Sequence, residues 1–208
     1  MRMAELSSAS GVPVATIKYY LREGLLQPGE RTSPNQARYG EAHVRRLKLV
    51  RALIDVGGLS IAAVQETLAA IDDHVSTHSA LGFAQKGITV PDVVVDEETR
   101  AWALGRFEPI AKEHGWEPCD DDPAVETLIS VMSAFRDLGH ENLLDGLPRY
   151  AEAVRRIAEQ DLASLAGMKS VEQIVESAAV GTVLGDTLLM ALRRIAQQEV
   201  SERVYGKD

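Results

Sequence analysis

Cysteine is nearly absent from this sequence: Cys119 is the only one among 208 residues. A disulfide within the chain is therefore excluded, and so is a metal or iron–sulfur site that needs several thiolates from one chain. The N-terminus has no apolar run of the kind found in signal peptides, and no uninterrupted apolar stretch reaches membrane-spanning length. We therefore expect a cytoplasmic protein that binds no membrane, no metal and no cofactor.

Aromatic residues are also scarce. They make up 5% of the chain, whereas hydrophobic residues make up 45% and charged residues 25%. This composition is typical of a soluble globular protein, and the abundance of Ala, Leu, Val and Glu favours helices over sheets. The sequence has no Gly-rich phosphate loop, no HExxH motif and no nucleophile–base pairing. We expect a mainly α-helical protein that is not an enzyme.

The charge is unevenly distributed along the chain. The net charge is -9, yet the residues through Ile71 hold nine Lys and Arg against six Asp and Glu. The remaining residues hold thirteen against twenty-five. Affinity for DNA depends on the local patch that meets the phosphates and not on the charge of the whole chain. A basic N-terminal module joined to an acidic C-terminal one is therefore compatible with DNA binding.

The segment MAELSSASGVPVATIKYYLREGLL has the pattern of two short helices joined by a turn. Gly11 can end the first helix and Pro13 can begin the second. In the second helix, Ile17, Tyr20 and Leu21 lie at i, i+3 and i+4, so they are expected to face the core. The opposite face then carries Lys18, Tyr19 and Arg22. In a helix-turn-helix, this face would be exposed to the major groove of DNA.

The next segment, QPGERTSPNQARYG, is rich in Pro, Gly, Ser and Asn and predicts a loop or hairpin. It carries side chains that suit contact with a phosphate backbone: Arg31, Asn35, Gln36, Arg38 and Tyr39. A helical pattern then returns and is ended by Gly57 and Gly58. Ser60 can cap a further helix that extends to about Ile71.

Residues 3 to 71 resemble the DNA-binding domain of the MerR family of transcriptional regulators. The residues that carry the resemblance are Met3-Ala4-Glu5-Leu6, Gly11-Val12, Thr16-Ile17-Lys18-Tyr19-Tyr20, Glu23-Gly24-Leu25-Leu26, Arg38-Tyr39, Arg45-Arg46-Leu47 and Gly57-Gly58-Leu59-Ser60. The family usually has arginine where Lys18 stands, so the positive charge is kept without the two-pronged guanidinium. A simpler interpretation, in which the basic residues only form a solvated surface, is disfavoured by so many matches in order.

The resemblance implies a winged helix-turn-helix over residues 1–71 and a homodimer that binds a pseudo-palindrome in promoter DNA. It implies that the protein acts on RNA polymerase at the promoter by bending and untwisting a spacer that is too long. The side chains that it implies in DNA binding are Thr16, Lys18, Tyr19, Arg22, Arg31, Asn35, Arg38, Tyr39 and Ser60.

Beyond this module the sequence departs from the family's usual shape. Such regulators commonly carry a long helix directly after the DNA-binding domain, which pairs antiparallel with its mate. Here the pattern breaks at Gly87, and Pro109 is expected to kink or end a helix. We therefore expect a linker over residues 72–95 and an all-helical effector-binding and dimerisation domain over residues 96–208. Dimerisation is expected to use surfaces other than a long uninterrupted coiled coil.

The last helix is predicted to run from about Ser170 to about Val200, with a nearly apolar middle. Asp186 lies in this apolar stretch, so it must be paired, exposed on a polar stripe or used for a ligand. A small organic effector bound within the helical domain is the default expectation. The candidate polar contacts for it are Trp102, Thr182 and Asp186, each of which has a structural alternative.

Two further patterns suggest metal binding only weakly. His74 and His78 are spaced i, i+4 and could share a helix face, but such a pair is more often an exposed polar surface. The acids Asp120 to Asp122 lack the spacing of a calcium loop and are better explained as a helix cap. We therefore predict no metal site.

The sequence as a whole indicates a ligand-responsive transcriptional regulator that binds promoter DNA as a homodimer. A second interpretation is a helical small-molecule-binding, drug-sequestering protein or enzyme with an accessory DNA-binding domain. A third is an architectural DNA-binding protein without a sensor, which would leave the large acidic region without a role.

Overall fold

We describe the protein from a computed structural model that defines residues 1–33, 36–72, 93–118, 122–168 and 171–206. The chain forms two compact units. The first unit comprises Met1–Phe83 together with Val171–Asp208, and the second comprises Ala84–Ser170.

The described elements follow a simple order along the chain. They are α1 (Met3–Ser10), α2 (Val14–Arg22), β1 (Glu30–Ser33), β2 (Gln36–Arg38), α3 (Glu41–Arg51), a π-helical turn (Ala52–Val56), α4 (Ile61–Asp72), α5 (Glu97–His114), α6 (Pro123–Asp137), a 3-10 turn (Glu141–Gly146), α7 (Leu147–Leu165) and α8 (Val171–Tyr205). Of these elements, only the two short strands are not helical. The expected mainly α-helical fold is therefore confirmed.

The turn between α1 and α2 is fixed by local chemistry. Gly11 adopts a left-handed conformation (φ 70°), and its N–H donates to the Ser7 carbonyl at 2.9 Å. Only glycine enters this region without a steric cost, so α1 ends here. On the predicted inner face of α2, Ile17 and Tyr20 are buried and Leu21 is half-buried, and they lie with Leu6 of α1 in the core.

The predicted hairpin is present as β1 and β2, which pair antiparallel. Glu30 lies opposite Arg38, and the register shifts by a bulge between Arg31 and Ser33. The hairpin is tied to the start of the chain because the Tyr39 N–H donates to the Met1 carbonyl and the Met1 ammonium donates to the Tyr39 carbonyl, at 2.9 and 2.8 Å. The largely exposed hairpin is thus held beside α1. This hairpin is the wing of a winged helix-turn-helix.

The long helix α8 belongs to the first unit. Its buried residues are Val175, Ala178, Ala179 and Val183. A Cβ added to Gly57, after the π-helical turn, would collide with Val183 and lie 2.7 Å from the Leu53 carbonyl oxygen. Thr187 donates to the Val56 carbonyl at 3.2 Å, and Arg45 forms an ion pair with Glu176 at 2.7 Å. The glycine at position 57 therefore allows close packing of α8.

This grouping differs from the division expected from the sequence, which placed residues 96–208 in one domain. The structure groups Val171–Asp208 with the N-terminal module, because apolar residues on one side of α8 pack there. The segment Gln173–Tyr205 is also long and apolar enough to cross a membrane by length and composition, since an 18-residue window within it has a mean hydropathy of 1.4. The sequence expectation was that no uninterrupted apolar stretch reaches this length; Asp186 does interrupt the segment, but one window of it is apolar enough to meet the criterion.

The second unit packs α5, α6 and the 3-10 turn around a small apolar core. Ala103, Ile129, Met132 and Leu144 are buried at its centre. Asp96 caps α5 by accepting from the Thr99 N–H, and Asp122 caps α6 by accepting from the Ala124 N–H, at 2.9 and 2.8 Å. The expected capping role of the acidic run is therefore confirmed at Asp122. Asp120 and Asp121 lie outside the described residues.

The sequence predicted that Pro109 would kink or end a helix; α5 does not end there but continues to His114. Proline removes one helical hydrogen bond. Burial of Ala103 before the proline and of Ile110 and Ala111 after it holds both halves of the helix in place. The helix ends instead at Gly115, which is left-handed with φ 68°.

Candidate nucleic-acid interface

The outer face of α2 carries the side chains that the sequence placed there. Lys18 and Arg22 are exposed, while Thr16 and Tyr19 are half-buried. The Arg22 guanidinium carbon lies 5.2 Å from the centroid of the Tyr19 ring, so the aromatic face supports the cation. Arg22 also approaches Glu23 at 3.5 Å, a solvent-exposed pair that contributes little.

A concave surface lies between α1, α2 and the hairpin and encloses about 530 Å³. Arg2, Lys18 and Arg31 line it together with polar and apolar side chains: Met3, Val14, Ser33, Gln36, Ala37 and Tyr39. No described carboxylate lines this groove, so three cations share one concavity without an acid to neutralise them. We call this surface the basic groove. Such an arrangement suits a chain of phosphates.

The hairpin adds further positive charge. Arg31 and Arg38 are exposed on neighbouring strands. Among the described residues, neither these arginines nor Lys18 forms an ion pair or a side-chain hydrogen bond, so their donors are available to a partner. Asn35, which the sequence placed in the same set, lies outside the described residues.

Tyr39 and Ser60 have visible structural roles. Tyr39 is 8% exposed, and its ring meets His43 edge-on at 5.2 Å between centroids. Ser60 accepts a hydrogen bond from the Ala63 N–H at 3.2 Å and so caps α4, as expected. Tyr39 still lines the basic groove. A contact of either side chain with DNA stays a prediction.

Sequence reasoning did not place Arg2 at the site. Arg2 precedes α1, where its N–H donates to Glu5 at 2.7 Å, and its place in the basic groove depends on how the hairpin folds back. The adjacent arginines Arg45 and Arg46, in contrast, are already engaged by carboxylates. Arg45 is held by Glu176, and Arg46 makes a two-pronged ion pair with Asp72 at 2.7 and 2.9 Å. These two arginines connect helices of the first unit.

The three candidate ligand contacts do not lie in one unit. Trp102 belongs to the second unit, where the guanidinium carbons of Arg106 and Arg136 lie 5.1 and 5.3 Å from its ring centroid. Thr182 and Asp186 belong to α8, and Thr182 donates to the Ala178 carbonyl at 3.0 Å. Asp186 is exposed on α8, yet partial desolvation by its surroundings raises the pKa of its carboxyl. A ligand-binding role for each residue stays a prediction.

Within the described ranges, no group of three or more His, Cys, Asp and Glu side chains is arranged to hold a metal ion. His74 and His78 lie outside those ranges.

Comparisons with known proteins agree with this geometry. The family model described as MerR HTH family regulatory protein matches residues 1–71. The HTH-type transcriptional regulator ZntR homolog of Haemophilus influenzae is 42% identical over 50 residues, which are 24% of this chain and 37% of that protein. The HTH-type transcriptional regulator HmrR of Sinorhizobium medicae is 36% identical over 69 residues, which are 33% of this chain and 46% of that protein. The chain thus covers less than half of these two relatives.

Two matches extend further. The mercuric resistance operon regulatory protein of Shigella flexneri is 35% identical over 107 residues, which are 51% of this chain and 69% of that protein. The solved structure of SCO5550, a candidate transcriptional regulator of Streptomyces coelicolor A3(2), matches with 36% identity and a TM-score of 0.66, over 100% of this chain and 99% of that one. The winged helix-turn-helix, its basic groove and these matches lead to one conclusion: the chain belongs to the MerR family.

Proposed function

We propose that this protein is a transcriptional regulator that binds promoter DNA through α2 and the hairpin. The basic groove is the observation that carries the proposal, because it collects Arg2, Lys18 and Arg31 without a described carboxylate among them. Cations that neutralise phosphates gain affinity by releasing condensed counterions. The printed names of the relatives, which describe regulators of the helix-turn-helix type, support the same function.

In this proposal, α2 and the hairpin have different tasks. Lys18 and Arg22 on α2 enter the major groove, where they contact base edges and phosphates. Arg31 and Arg38 on the hairpin contact the phosphate backbone beside the major groove and fix the orientation of the protein. Thr16 and Tyr19 support the same face of α2, and Asn35 and Ser60 complete the predicted set.

We also propose that the protein is a homodimer and that α8 forms the interface. Leu188, Leu192 and Ile195 are 60%, 52% and 66% exposed, although each is a large apolar side chain. They recur at steps of four and three residues, so they form one stripe along the helix. Preceding this stripe, Gly181 and Gly185 have no described atom within 4 Å of an added Cβ. An apolar stripe that continues into small residues leaves room for a second backbone.

The order of residues on this stripe suits a second copy of α8 in the opposite direction. If the two-fold axis passes Leu188, Leu188 meets its own copy. Leu184 then faces Leu192 of the partner subunit, and Gly181 faces Ile195 of the partner subunit. Large side chains therefore meet small ones at the ends of the contact, as interdigitated helix packing requires. A two-fold protein also matches the symmetry of a two-part operator.

The proposed regulation follows from the separate second unit. A small organic effector that binds this unit would bias the dimer between two states that distort the operator differently, and RNA polymerase at the promoter would sense the difference.

We propose a cytoplasmic location, since one side of α8 packs in the first unit and the exposed stripe fits a second copy. A bilayer is the competing occupant of the stripe; flotation of the protein with lipid vesicles would favour it.

A ligand-sequestering protein with an accessory DNA-binding module is the second candidate, favoured by the cavity of the second unit described below. Selection from a random duplex library separates the two functions. The regulator is expected to enrich a two-part sequence, and Arg31→Ala is expected to weaken binding to it. Failure of the full-length protein to enrich any sequence would overturn the regulator proposal.

A further inference from the structure

The second unit contains a cavity of about 770 Å³. It lies between the C-terminal half of α5, the residues that follow that helix, and the start of α6. A volume of this size is in the range of pockets that enclose drug-sized molecules. We call it the α5–α6 cavity.

The walls of this cavity are largely apolar. Leu104, Phe107, Ala111, Trp116 and Val125 contribute to them. The position of Trp116 is fixed by the end of α5, where the left-handed Gly115 turns the chain and the Trp116 N–H donates to the Ala111 carbonyl at 2.8 Å. Two aromatic rings from the helix and from its C-terminal turn therefore line the same space.

The charges on the walls are biased towards one sign. Four carboxylates, those of Glu108, Glu117, Asp122 and Glu126, line the cavity with only Arg100 and Lys112 as cations. Two of these carboxylates are already engaged. Arg100 makes a two-pronged ion pair with Glu126, and Asp122 accepts from the Ala124 N–H. The hydrogen bonds from Arg100 lower the pKa of Glu126, so this pair stays ionised and self-neutralised.

What remains is an excess of negative charge. Within the described part of the chain, Glu108, Glu117 and Lys112 form neither ion pairs nor side-chain hydrogen bonds. All three side chains are exposed, so two unpaired carboxylates oppose one ammonium group at the solvent side of the cavity. An anionic ligand would find one unpaired cation on these walls and would be repelled by the carboxylates.

We propose that the α5–α6 cavity binds a hydrophobic organic cation. Its apolar body lies against Phe107 and against the face of Trp116 that is not stacked on His114, whose ring centroid is 5.0 Å away. These ring faces attract positive charge, and Glu108 and Glu117 balance the cationic centre. Binding itself is a property of the second unit. Its regulatory consequence rests on the proposed function, since the same cation would then be the effector of the regulator.

Two probe ions of equal shape and opposite charge test the proposal. Tetraphenylphosphonium and tetraphenylborate both present four phenyl rings, so their difference in affinity isolates charge. Isothermal titration of the full-length protein is expected to give at least tenfold tighter binding of the phosphonium. Equal affinities, or tighter binding of the borate, would overturn the proposal.

Three variants locate the site. Glu108→Gln combined with Glu117→Gln removes both unpaired carboxylates and is expected to weaken phosphonium binding at least tenfold; unchanged affinity would overturn the proposal. Trp116→Ala is expected to weaken the binding of both ions. Glu113→Gln changes an exposed carboxylate of α5 that does not line the cavity, so it serves as the matched control and should leave both affinities unchanged.

A mobility-shift assay on selected DNA keeps the two proposals distinguishable. Phosphonium binding that depends on Glu108 and Glu117, in a protein that binds no DNA, would support the cavity and overturn the regulator. Specific DNA binding by a protein that does not bind the phosphonium would support the regulator and overturn the cavity proposal.

Discussion

At the scale of single residues, the proposed DNA contact depends on cations that have no partner among the described residues. Lys18 and Arg38 fit this description, whereas the neighbouring basic pair Arg45 and Arg46 is held by carboxylates of the first unit. The sequence alone does not distinguish these two pairs of basic residues. Only the fold shows which guanidinium groups are already engaged.

Lys18→Ala and Arg38→Ala are each expected to weaken binding to the selected operator, because each removes a positive charge from the DNA-facing surface. The slope of log K against log[salt] should fall by about one for each phosphate that the variant no longer neutralises. Arg149→Ala, an exposed arginine at the start of α7, is the control. If both variants keep the parent's affinity and salt slope while folded, these two residues do not contact DNA.

Asp186 offers a test by pH. Desolvation raises its pKa in the folded chain, so protonation favours folding and ionisation opposes it. Asp186→Asn removes the ionised form and is expected to raise the Tm at neutral pH. The gain should shrink as the pH is lowered through the raised pKa, because the parent's carboxyl then becomes neutral as well. Asp161→Asn, on the exposed side of α7, is the charge-matched control, and a lower Tm for Asp186→Asn at neutral pH would contradict the account.

The Asp186→Asn variant also tests the ligand prediction for this residue. If Asp186 contacts the effector, DNA binding survives the substitution while the response to the effector is abolished. A response equal to that of the parent would leave Asp186 with a structural role only.

At the scale of elements, the first four helices and the hairpin follow from the sequence. Their signals are local: Gly11 ends α1, the spacing of Ile17, Tyr20 and Leu21 sets the inner face of α2, and the Pro- and Gly-rich segment forms the hairpin. The placement of α8 could not be predicted in the same way. It depends on contacts between distant residues, such as Val183 above Gly57, and no local pattern encodes them.

The same limit applies to the candidate ligand contacts. The sequence suggested Trp102 by its residue type, yet its ring lies beside two guanidinium groups, while the tryptophan that lines the α5–α6 cavity is Trp116. A sequence signal for Trp116 exists in the Gly115-Trp116 pair, but it marks a helix end and not a cavity. Continuation of α5 through Pro109 was also beyond local rules, because burial on both sides of the proline decided it.

Packing of α8 in the first unit predicts a specific cost at Gly57. Gly57→Ala places a methyl group against Val183 and the Leu53 carbonyl, so it is expected to destabilise the protein by about 1–3 kcal/mol. Gly105→Ala, inside α5 with open space around the added Cβ, is expected to be neutral or stabilising by up to about 1 kcal/mol. Chemical denaturation measures both. Equal stabilities of Gly57→Ala and the parent would show that α8 does not pack as described.

At the scale of the whole molecule, the account requires two copies of the chain. A single winged helix-turn-helix reads one half-site, and dimeric readers place two such modules about one helical turn of DNA apart, ~34–36 Å. The exposed stripe on α8 supplies a surface for this pairing, since its apolar residues are otherwise open to solvent.

The position of the two-fold axis gives a sharp prediction. In a Cys119→Ser background, Leu188→Cys is expected to form an intermolecular disulfide under mild oxidation, because the two Leu188 side chains meet on the axis. Met190→Cys, exposed on another side of α8, is the control and should crosslink much less. Leu188→Glu should shift sedimentation towards the monomer. Efficient crosslinking at Met190 with none at Leu188 would overturn the proposed interface.

The most direct test of the central claim is a hydroxyl-radical footprint of the full-length protein on the duplex that it selects. The account predicts two protected half-sites related by two-fold symmetry and separated by about 10–10.5 base pairs or a multiple of that spacing. Protection should weaken at both half-sites in Lys18→Ala. A single unpaired half-site, or no protection on any selected duplex, would contradict the claim that this chain is a dimeric DNA-binding regulator.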